Sequence, residues 1–265
     1  MTESVGPSDY DPVADLYDHI ATYAARPDVA FWVEAAREAG GEVLEVGCGT
    51  GRVLVPTARA GIAITGLDLS PQMLAVCREK LAAEPPEVRD RVRLIEADMR
   101  RFDLGRRFAL ITCPFRPFQH LVTVADQMAC LECVRRHLAE GGRFILDLFE
   151  PSIPYLADPT KLEECGDEPE FTAPDGRRVL RRFRIAARDY AAQVQQVELI
   201  YYVTHPDGRR ERLVHRFPMR YLFRYEVEHL LARCGLALMA VYSDYDKSPF
   251  GSKYPGEIIA VARRA

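Results

Sequence analysis

Apolar runs and amphipathic stretches alternate along the first 150 residues of the chain. Runs rich in β-branched residues predict buried strands, and the stretches between them place apolar residues at helical spacing. Strands that alternate with helices predict a mostly parallel sheet, whose ligands bind beyond the carboxyl ends of the strands. The predicted strands are 43–46, 62–67, 92–97, 108–112 and 143–149, and the predicted helices are 29–39, 52–60, 71–83 and a stretch that begins after Thr123.

Local signals predict where these helices begin and end. Ser70 precedes a proline and is a typical N-cap, as is Thr123. Asp28 stands in the N-cap position of the helix 29–39. The pair Gly141 and Gly142 is expected to end the helix that begins after Thr123, and residues 10–25 carry a weaker helical pattern.

The pattern changes after residue 170, where helical spacing is lost until residue 224. Runs of β-forming residues are interrupted there by the same pentapeptide, Pro-Asp-Gly-Arg-Arg, at 174–178 and at 206–210. Each copy is a strong turn signal, so the segment predicts two antiparallel hairpins. A short helix at 225–234 and two further strands at 236–242 and 257–262 are expected to complete the first sheet.

The strongest chemical signal is the loop that follows the first strand. Gly47, Gly49 and Gly51 separate that strand from a helix, and glycines in such a turn let the backbone approach a nucleotide-like ligand. A glycine pattern alone is weak support for a ligand. Asp68 lies about 20 residues further on at the end of a strand, the position from which a carboxylate accepts hydrogen bonds from ribose hydroxyls. Asp98 ends the third strand in the same way.

Composition and charge narrow the functional class. The 265 residues are 48% hydrophobic and 28% charged, as in ordinary globular proteins, and the net charge of −4 disfavours a general nucleic-acid or membrane-surface binder. No apolar run approaches 18 residues and the first residues are polar, so a cytoplasmic protein is expected. Seven scattered cysteines predict neither a disulfide framework nor a metal site. Between residues 165 and 224 there are twelve arginines and eight acids, which suggests a charged sheet edge or a surface for an anionic substrate.

Residues 43–51, Asp68, Asp98 with Met99, and the segment 112–121 together resemble class I S-adenosylmethionine-dependent methyltransferases. The resemblance covers 10–150 and resumes after residue 224. It implies an α/β fold, a Rossmann-like doubly wound seven-stranded sheet whose last strand is antiparallel, with an antiparallel β insertion. The implied division is a donor-binding domain of residues 1–150 and 225–265, and an insertion of residues 151–224 that covers the active site or pairs subunits in a homodimer.

The resemblance also assigns site residues. Asp68 is expected to hold the ribose of S-adenosylmethionine, Asp98 the adenine amino group, and Tyr17 the carboxylate, with Tyr23 and Arg26 as substitutes. Glu45 is expected to support the glycine loop. The full expected cofactor set is Tyr17, Glu45, Gly47, Cys48, Gly49, Gly51, Asp68, Leu69, Met73, Asp98, Met99 and Pro114.

Methyl transfer needs alignment of the acceptor, exclusion of water and a place for a proton. His120 is the histidine expected near the transferred methyl group, and its ordinary pKa suits a base at neutral pH. A structural histidine at the start of the following helix is the other interpretation. Tyr17 could share the catalytic role or orient the substrate. Asp147 and Glu150 at the end of the fifth strand are too few carboxylates to predict a metal.

The acceptor is less well defined by the sequence. The segment 113–116 lacks the acidic or amide residue typical of enzymes that act on nucleic-acid bases, whereas the insertion and the loop ending in His120 resemble small-molecule N-methyltransferases of the glycine and amino-sugar types. N-methylation of a small amine is therefore expected, with Arg116, Arg220 or Arg224 as contacts if the acceptor carries phosphates. The alternatives are O- or S-methylation, RNA methylation through the arginine-rich hairpins, and a non-catalytic donor-binding regulatory or partner subunit.

Overall fold

The computed structural model describes residues 10–166 and 168–265, which form two β-sheets and the helices around them. The larger sheet has seven strands and the smaller has four. The strands are β1 (Val43–Val46), β2 (Ile64–Asp68), β3 (Val92–Glu96), β4 (Phe108–Cys113), β5 (Leu138–Phe149), β6 (Phe171–Thr172), β7 (Arg178–Asp189), β8 (Val194–Thr204), β9 (Arg210–Arg220), β10 (Leu236–Tyr242) and β11 (Glu257–Arg264).

The larger sheet has the strand order β10-β11-β5-β4-β1-β2-β3. β1 to β5 run parallel to one another, while β11 lies antiparallel to both of its neighbours, β5 and β10. This arrangement confirms the predicted α/β fold with an antiparallel last strand. The ends of β1, β2 and β4 meet at one edge, because parallel strands share their carboxyl edge.

Helices cover both faces of this sheet. Phe31, Trp32 and Leu74 belong to the buried cluster on one face, and Leu131 and Leu231 belong to the cluster on the other. The helices are α1 (Ala21–Ala24), α2 (Val29–Ala39), α3 (Leu54–Arg59), α4 (Pro71–Ala82), α5 (Pro86–Arg89), α6 (Val124–His137), α7 (Ile153–Ala157) and α8 (Arg224–Arg233). In the described part of the chain, none of them is long and apolar enough to cross a bilayer.

Two predicted helix ends differ from the structure. Asp28 precedes α2 but makes no capping hydrogen bond, because its carboxylate binds Arg52 and Trp32 instead. α6 ends at His137, and β5 begins at the next residue, so Gly141 and Gly142 do not end the helix. They lie where the pairing of β5 with β4 shifts register, and Gly141 adopts a positive φ of 72° there. Ser70 and Thr123 cap their helices as predicted.

The smaller sheet contains β6 to β9, all antiparallel. It contains the two hairpins predicted between 170 and 224, β6 with β7 and β8 with β9, and the pairing of β7 with β8 joins them into one sheet. Both copies of the pentapeptide form turns, in which the aspartate accepts a hydrogen bond from the backbone N–H two residues later and the glycine has a φ of 85°. One face of this sheet packs on the N-terminal segment, residues 10–24, through a core that includes Leu16, Ile20 and Tyr201.

Candidate functional site

A cavity of about 640 Å³ lies at the carboxyl edge of the larger sheet. Its floor is the turn between β1 and α3, where the N–H groups of Gly47 and Cys48 donate to the carbonyl of Leu67 at 2.7 and 3.0 Å. Gly47 has a φ of 74°, and a side chain at this position would meet the Pro117 ring at 2.7 Å. The glycine therefore lets two loops approach each other beside the cavity.

Two carboxylates at neighbouring strand ends face this cavity. Asp68 accepts from the N–H of Gly49 at 2.7 Å and from that of Ser70 at 2.9 Å, one on each oxygen. Burial raises its pKa, and each oxygen keeps a lone pair for a further donor. Burial also works to raise the pKa of Asp98, but hydrogen bonds from Arg100 lower it overall. Asp68 can therefore accept from a diol, a donor that a nucleoside offers. Both oxygens of Asp98 already accept from Arg100, so a further donor there would share them with that residue.

Glu45 is a buried carboxyl group in the cavity wall. Its side chain lies on β1, 2% of the residue is exposed, and Oε2 has no hydrogen-bond partner in the described structure. Burial raises its pKa to about 8. The expected support of the glycine loop is not seen, because the loop N–H groups bind Leu67 and Asp68 instead. An unpartnered acid of this kind suits a ligand ammonium group.

One wall of the cavity is aromatic. Tyr10 donates or accepts a hydrogen bond with His120 Nε2 at 3.3 Å, and its ring lies 6.1 Å from that of Tyr17. Burial raises the pKa of Tyr17 well above its ordinary value and lowers that of His120 to about 4. At neutral pH, therefore, both tyrosines are phenols and His120 is a neutral imidazole.

The loop after β4 holds an unusual backbone. Phe115 and Arg116 have φ values of 65° and 72°, a conformation that costs energy for residues with side chains. Two guanidinium groups contact the Phe115 ring, that of Arg26 at 4.7 Å and that of Arg52 at 4.9 Å from its centroid. Arg116 in turn donates to Glu257 at 2.6 Å. These contacts hold the loop against the cavity.

Eleven of the twelve residues expected to bind the cofactor line the cavity, and so does His120. Gly51 does not: a side chain there would meet Cys77 Sγ at 2.6 Å, so the glycine serves packing beneath the loop. The substitutes for Tyr17 also lie outside the lining. Tyr23 accepts from Arg181 at 2.8 Å, and Arg26 binds Asp147 and Glu257.

Other cavity residues had no clear sequence signal. Arg52 follows the glycine loop directly and could have been suspected from that position, whereas Pro218 comes from β9 of the smaller sheet. His215, which does not line the cavity, is two strand positions before Phe217 and packs on the cavity residue Tyr10 with ring centroids 4.3 Å apart. A strand residue 95 positions beyond His120 gives no pattern that would link the two histidines.

Most arginines offered by the sequence for an anionic acceptor are already paired. Arg116 binds Glu257 and Arg224 binds Glu228. In the smaller sheet, Glu198 pairs with two of the arginines. Arg220 differs, because it donates only to the carbonyl of Val122 at 3.0 Å and its Nε has no partner in the described structure.

Comparison with known proteins agrees with this geometry. Residues 43–142 match a family model described as a methyltransferase domain. A dTDP-3-amino-3,6-dideoxy-alpha-D-glucopyranose N,N-dimethyltransferase from Streptomyces fradiae is 33% identical over 152 residues, which are 54% of this chain and 56% of that protein. The chain thus spans little more than half the length of this curated relative.

Two solved structures are similar over nearly the whole chain. The CcbJ methyltransferase from Streptomyces caelestis has a TM-score of 0.73 at 25% identity, covering 98% of this chain and 97% of that one. CalS10 from Micromonospora echinaspora, an amino pentose methyltransferase solved with S-adenosylmethionine bound, has a TM-score of 0.67 at 27% identity, covering 94% and 97%. Residues 43–142 therefore match a methyltransferase domain, and the whole chain is similar in fold to solved methyltransferases, one of them with S-adenosylmethionine bound.

Proposed function

We propose that the protein transfers the methyl group of S-adenosylmethionine to the amine nitrogen of a small molecule, such as an amino sugar. The observation that carries the proposal is that Asp68, Asp98 and His120 line one and the same cavity. The relatives named for amino-sugar methylation support the same acceptor class.

The residues of the cavity fit the methyl donor. Asp68 would bind the ribose, Asp98 the adenine amino group and Tyr17 the carboxylate, while Glu45 would receive the ammonium group. The donor, when bound, supplies a methyl group made electrophilic by its sulfonium. The walls that would exclude water from this methyl group are formed by Gly47, Cys48, Gly49, Leu69, Met73, Met99 and Pro114.

His120 would act on the acceptor. An amine must present a free lone pair to the methyl group. A neutral imidazole can accept a hydrogen bond from one N–H group of the amine and thereby orient that lone pair. Because burial holds the pKa of His120 near 4, the imidazole stays neutral beside a cationic donor. His120 therefore aligns the amine and takes a proton from it only briefly.

The finer features of the acceptor belong to the same proposal. Arg220, which lies beside the cavity residue Val122 without a carboxylate partner, would meet an anionic group such as a phosphate. All seven cysteines are free thiols, which supports a reducing, cytoplasmic location. A homodimer through the insertion and the domain limits 1–150, 151–224 and 225–265 stay predictions.

A panel of acceptors tests the proposal. Purified protein is incubated with S-adenosylmethionine and with amino sugars, free or linked to a nucleoside diphosphate, and S-adenosylhomocysteine is measured by mass spectrometry. The matched hydroxyl and thiol sugars are the controls. We expect turnover only with the acceptors that carry an amine. The variant His120→Gln should lose roughly 100-fold in kcat while its affinity for the donor stays unchanged.

Two outcomes would contradict the proposal. Donor binding without turnover on any acceptor would favour a regulatory or partner subunit, and turnover on the hydroxyl or thiol compounds would favour O- or S-methylation. A His120→Gln variant with unchanged turnover would remove His120 from the mechanism. RNA methylation would instead show RNA binding that weakens steeply with salt.

A further inference from the structure

Two imidazole nitrogens, both of His215, are buried beside the Tyr10 ring without a partner among the described residues. His215 is 4% exposed, and neither Nδ1 nor Nε2 has a hydrogen-bond partner in the described structure. His120 Nδ1 is also buried and faces the backbone carbonyl of Pro218. Buried polar groups in native proteins are nearly always paired, so unpaired ones point to a contact that forms in another state.

Tyr10 links these two histidines. Its hydroxyl binds His120 Nε2 at 3.3 Å, while its ring packs against His215 with centroids 4.3 Å apart. Phe217 contacts both imidazoles, at 5.0 Å from His120 and 4.8 Å from His215. One tyrosine thus lies between an imidazole on the cavity wall and an imidazole on the smaller sheet.

The bond between Tyr10 and His120 has a consequence for the acceptor. Because His120 Nδ1 is buried, Nε2 is the nitrogen that an acceptor can approach, and the Tyr10 hydroxyl already occupies it. An amine that binds His120 must displace this hydroxyl. The displaced hydroxyl would then lack a partner, and leaving a buried hydroxyl unpaired weakens binding by roughly tenfold or more.

We propose that Tyr10 has two positions and that His215 is a positioning residue, which receives the Tyr10 hydroxyl when the acceptor takes its place on His120. This rests on the proposed function, since it assumes that an amine binds at His120. His215 offers an acceptor nitrogen next to the ring that has to move, and one of its two unpaired nitrogens is then satisfied. The smaller sheet would thereby take part in acceptor binding through a residue outside the cavity.

A double-mutant cycle tests this, using the amine that the panel turns over. For His215→Phe we expect a KM for the amine raised roughly tenfold, a kcat changed by less than about twofold, and an unchanged Kd for S-adenosylhomocysteine. His215→Gln, which keeps a hydrogen-bonding group, should recover most of the lost KM. In a Tyr10→Phe background, His215→Phe should have no further effect, because no hydroxyl needs a partner.

Controls separate this role from a structural one. His205→Phe changes a histidine of the same sheet whose partners are the surface residues Arg209 and Glu211, and it should leave KM unchanged. Equal effects of His215→Phe in the wild-type and Tyr10→Phe backgrounds would overturn the inference, as would a raised donor Kd that His215→Gln does not correct. If the wild-type protein turns over no amine, the proposed function fails instead, and these two failures are distinct.

Discussion

Single residues in the cavity wall are arranged at a cost to stability. Burial raises the pKa of the Glu45 carboxyl to about 8, so the group is largely protonated at neutral pH, and its Oε2 has no partner in the described structure. A polar group buried without a partner destabilises a fold. Such a group is often kept because a ligand supplies the missing hydrogen-bond partner when it binds. Tyr17 and His120 are held in their neutral forms by the same burial.

Replacement of Glu45 by glutamine should therefore raise stability and weaken donor binding. A carboxyl whose folded pKa is raised from 4.5 to about 8 destabilises the fold increasingly as pH rises through that interval. Glu45→Gln should match the wild type near pH 4.5 and gain about 1.4 kcal/mol in free energy of unfolding per pH unit above it, levelling near pH 8. Urea unfolding at about pH 5, 6.5 and 8 measures this.

The same variant should bind S-adenosylhomocysteine roughly tenfold more weakly at about pH 8, because it cannot become a carboxylate beside the ligand ammonium group. Calorimetric titration gives this affinity. Glu42→Gln is the control, since Glu42 is exposed and paired with Arg106. A stability difference that does not change with pH would show that Glu45 is ionised in the folded protein.

At the level of the elements, sequence patterns predicted strands and turns better than they predicted the partners of charged side chains. The period of apolar residues and the Pro-Asp-Gly-Arg-Arg turns depend on neighbours along the chain, and both were found where expected. Asp28 was expected to cap α2, but its partner Arg52 is 24 positions away and tertiary contact decides the outcome. The positive φ values of Phe115 and Arg116 likewise depend on Arg26 and Glu257, which no local pattern connects to them.

Removal of the Asp28 charge should destabilise the fold strongly. Its carboxylate is fully buried, accepts two bonds from Arg52 at 2.6 and 2.7 Å, and lies 3.5 Å from Arg26. Burial alone would raise its pKa, but these arginines lower it overall. Asp28→Asn leaves the Arg52 guanidinium without its counter-charge, while Arg26 keeps Asp147 and Glu257, so we expect a loss of about 3 kcal/mol in the free energy of unfolding.

Chemical denaturation of two variants checks this expectation. Glu38→Gln on the same helix, α2, removes an exposed carboxylate that pairs with Arg143 and Lys247, and it should cost about 0.5 kcal/mol. Similar losses for both variants would mean that the buried network around Asp28 contributes no more than a surface ion pair.

On the scale of the whole molecule, the N-terminal segment joins the two sheets. Asp18 accepts from Thr50 at 2.7 Å and Lys80 at 2.8 Å on the donor side, and Asp15 pairs with Arg177 in the smaller sheet. The sequence showed a weak helical pattern here and little else, because the short turns of this segment are ordered by contacts with both sheets. The cavity wall that they form with Pro218 could not be read from any one stretch of the chain.

This arrangement predicts that the segment and the methyl donor stabilise each other. Thr50 belongs to the glycine loop region and Lys80 to α4, so the Asp18 contacts tie the segment that carries Tyr10 and Tyr17 to the donor-binding loop of the cavity. Loss of two hydrogen bonds, one of them charged, corresponds to about 1.5 kcal/mol. Asp18→Ala should therefore raise the Kd for S-adenosylhomocysteine roughly tenfold and speed amide hydrogen exchange across residues 10–24.

Asp15→Ala separates the two sides of the segment, because it breaks the contact with the smaller sheet and leaves those with Thr50 and Lys80. It should change the donor Kd by less than about twofold. In the wild type, saturating S-adenosylhomocysteine should slow amide hydrogen exchange across residues 10–24. The ligand adds contacts to this segment, and these must break before the segment can open. If donor binding leaves exchange there unchanged, or if Asp15→Ala weakens the donor as much as Asp18→Ala, the segment is held by the smaller sheet alone and does not close over the donor.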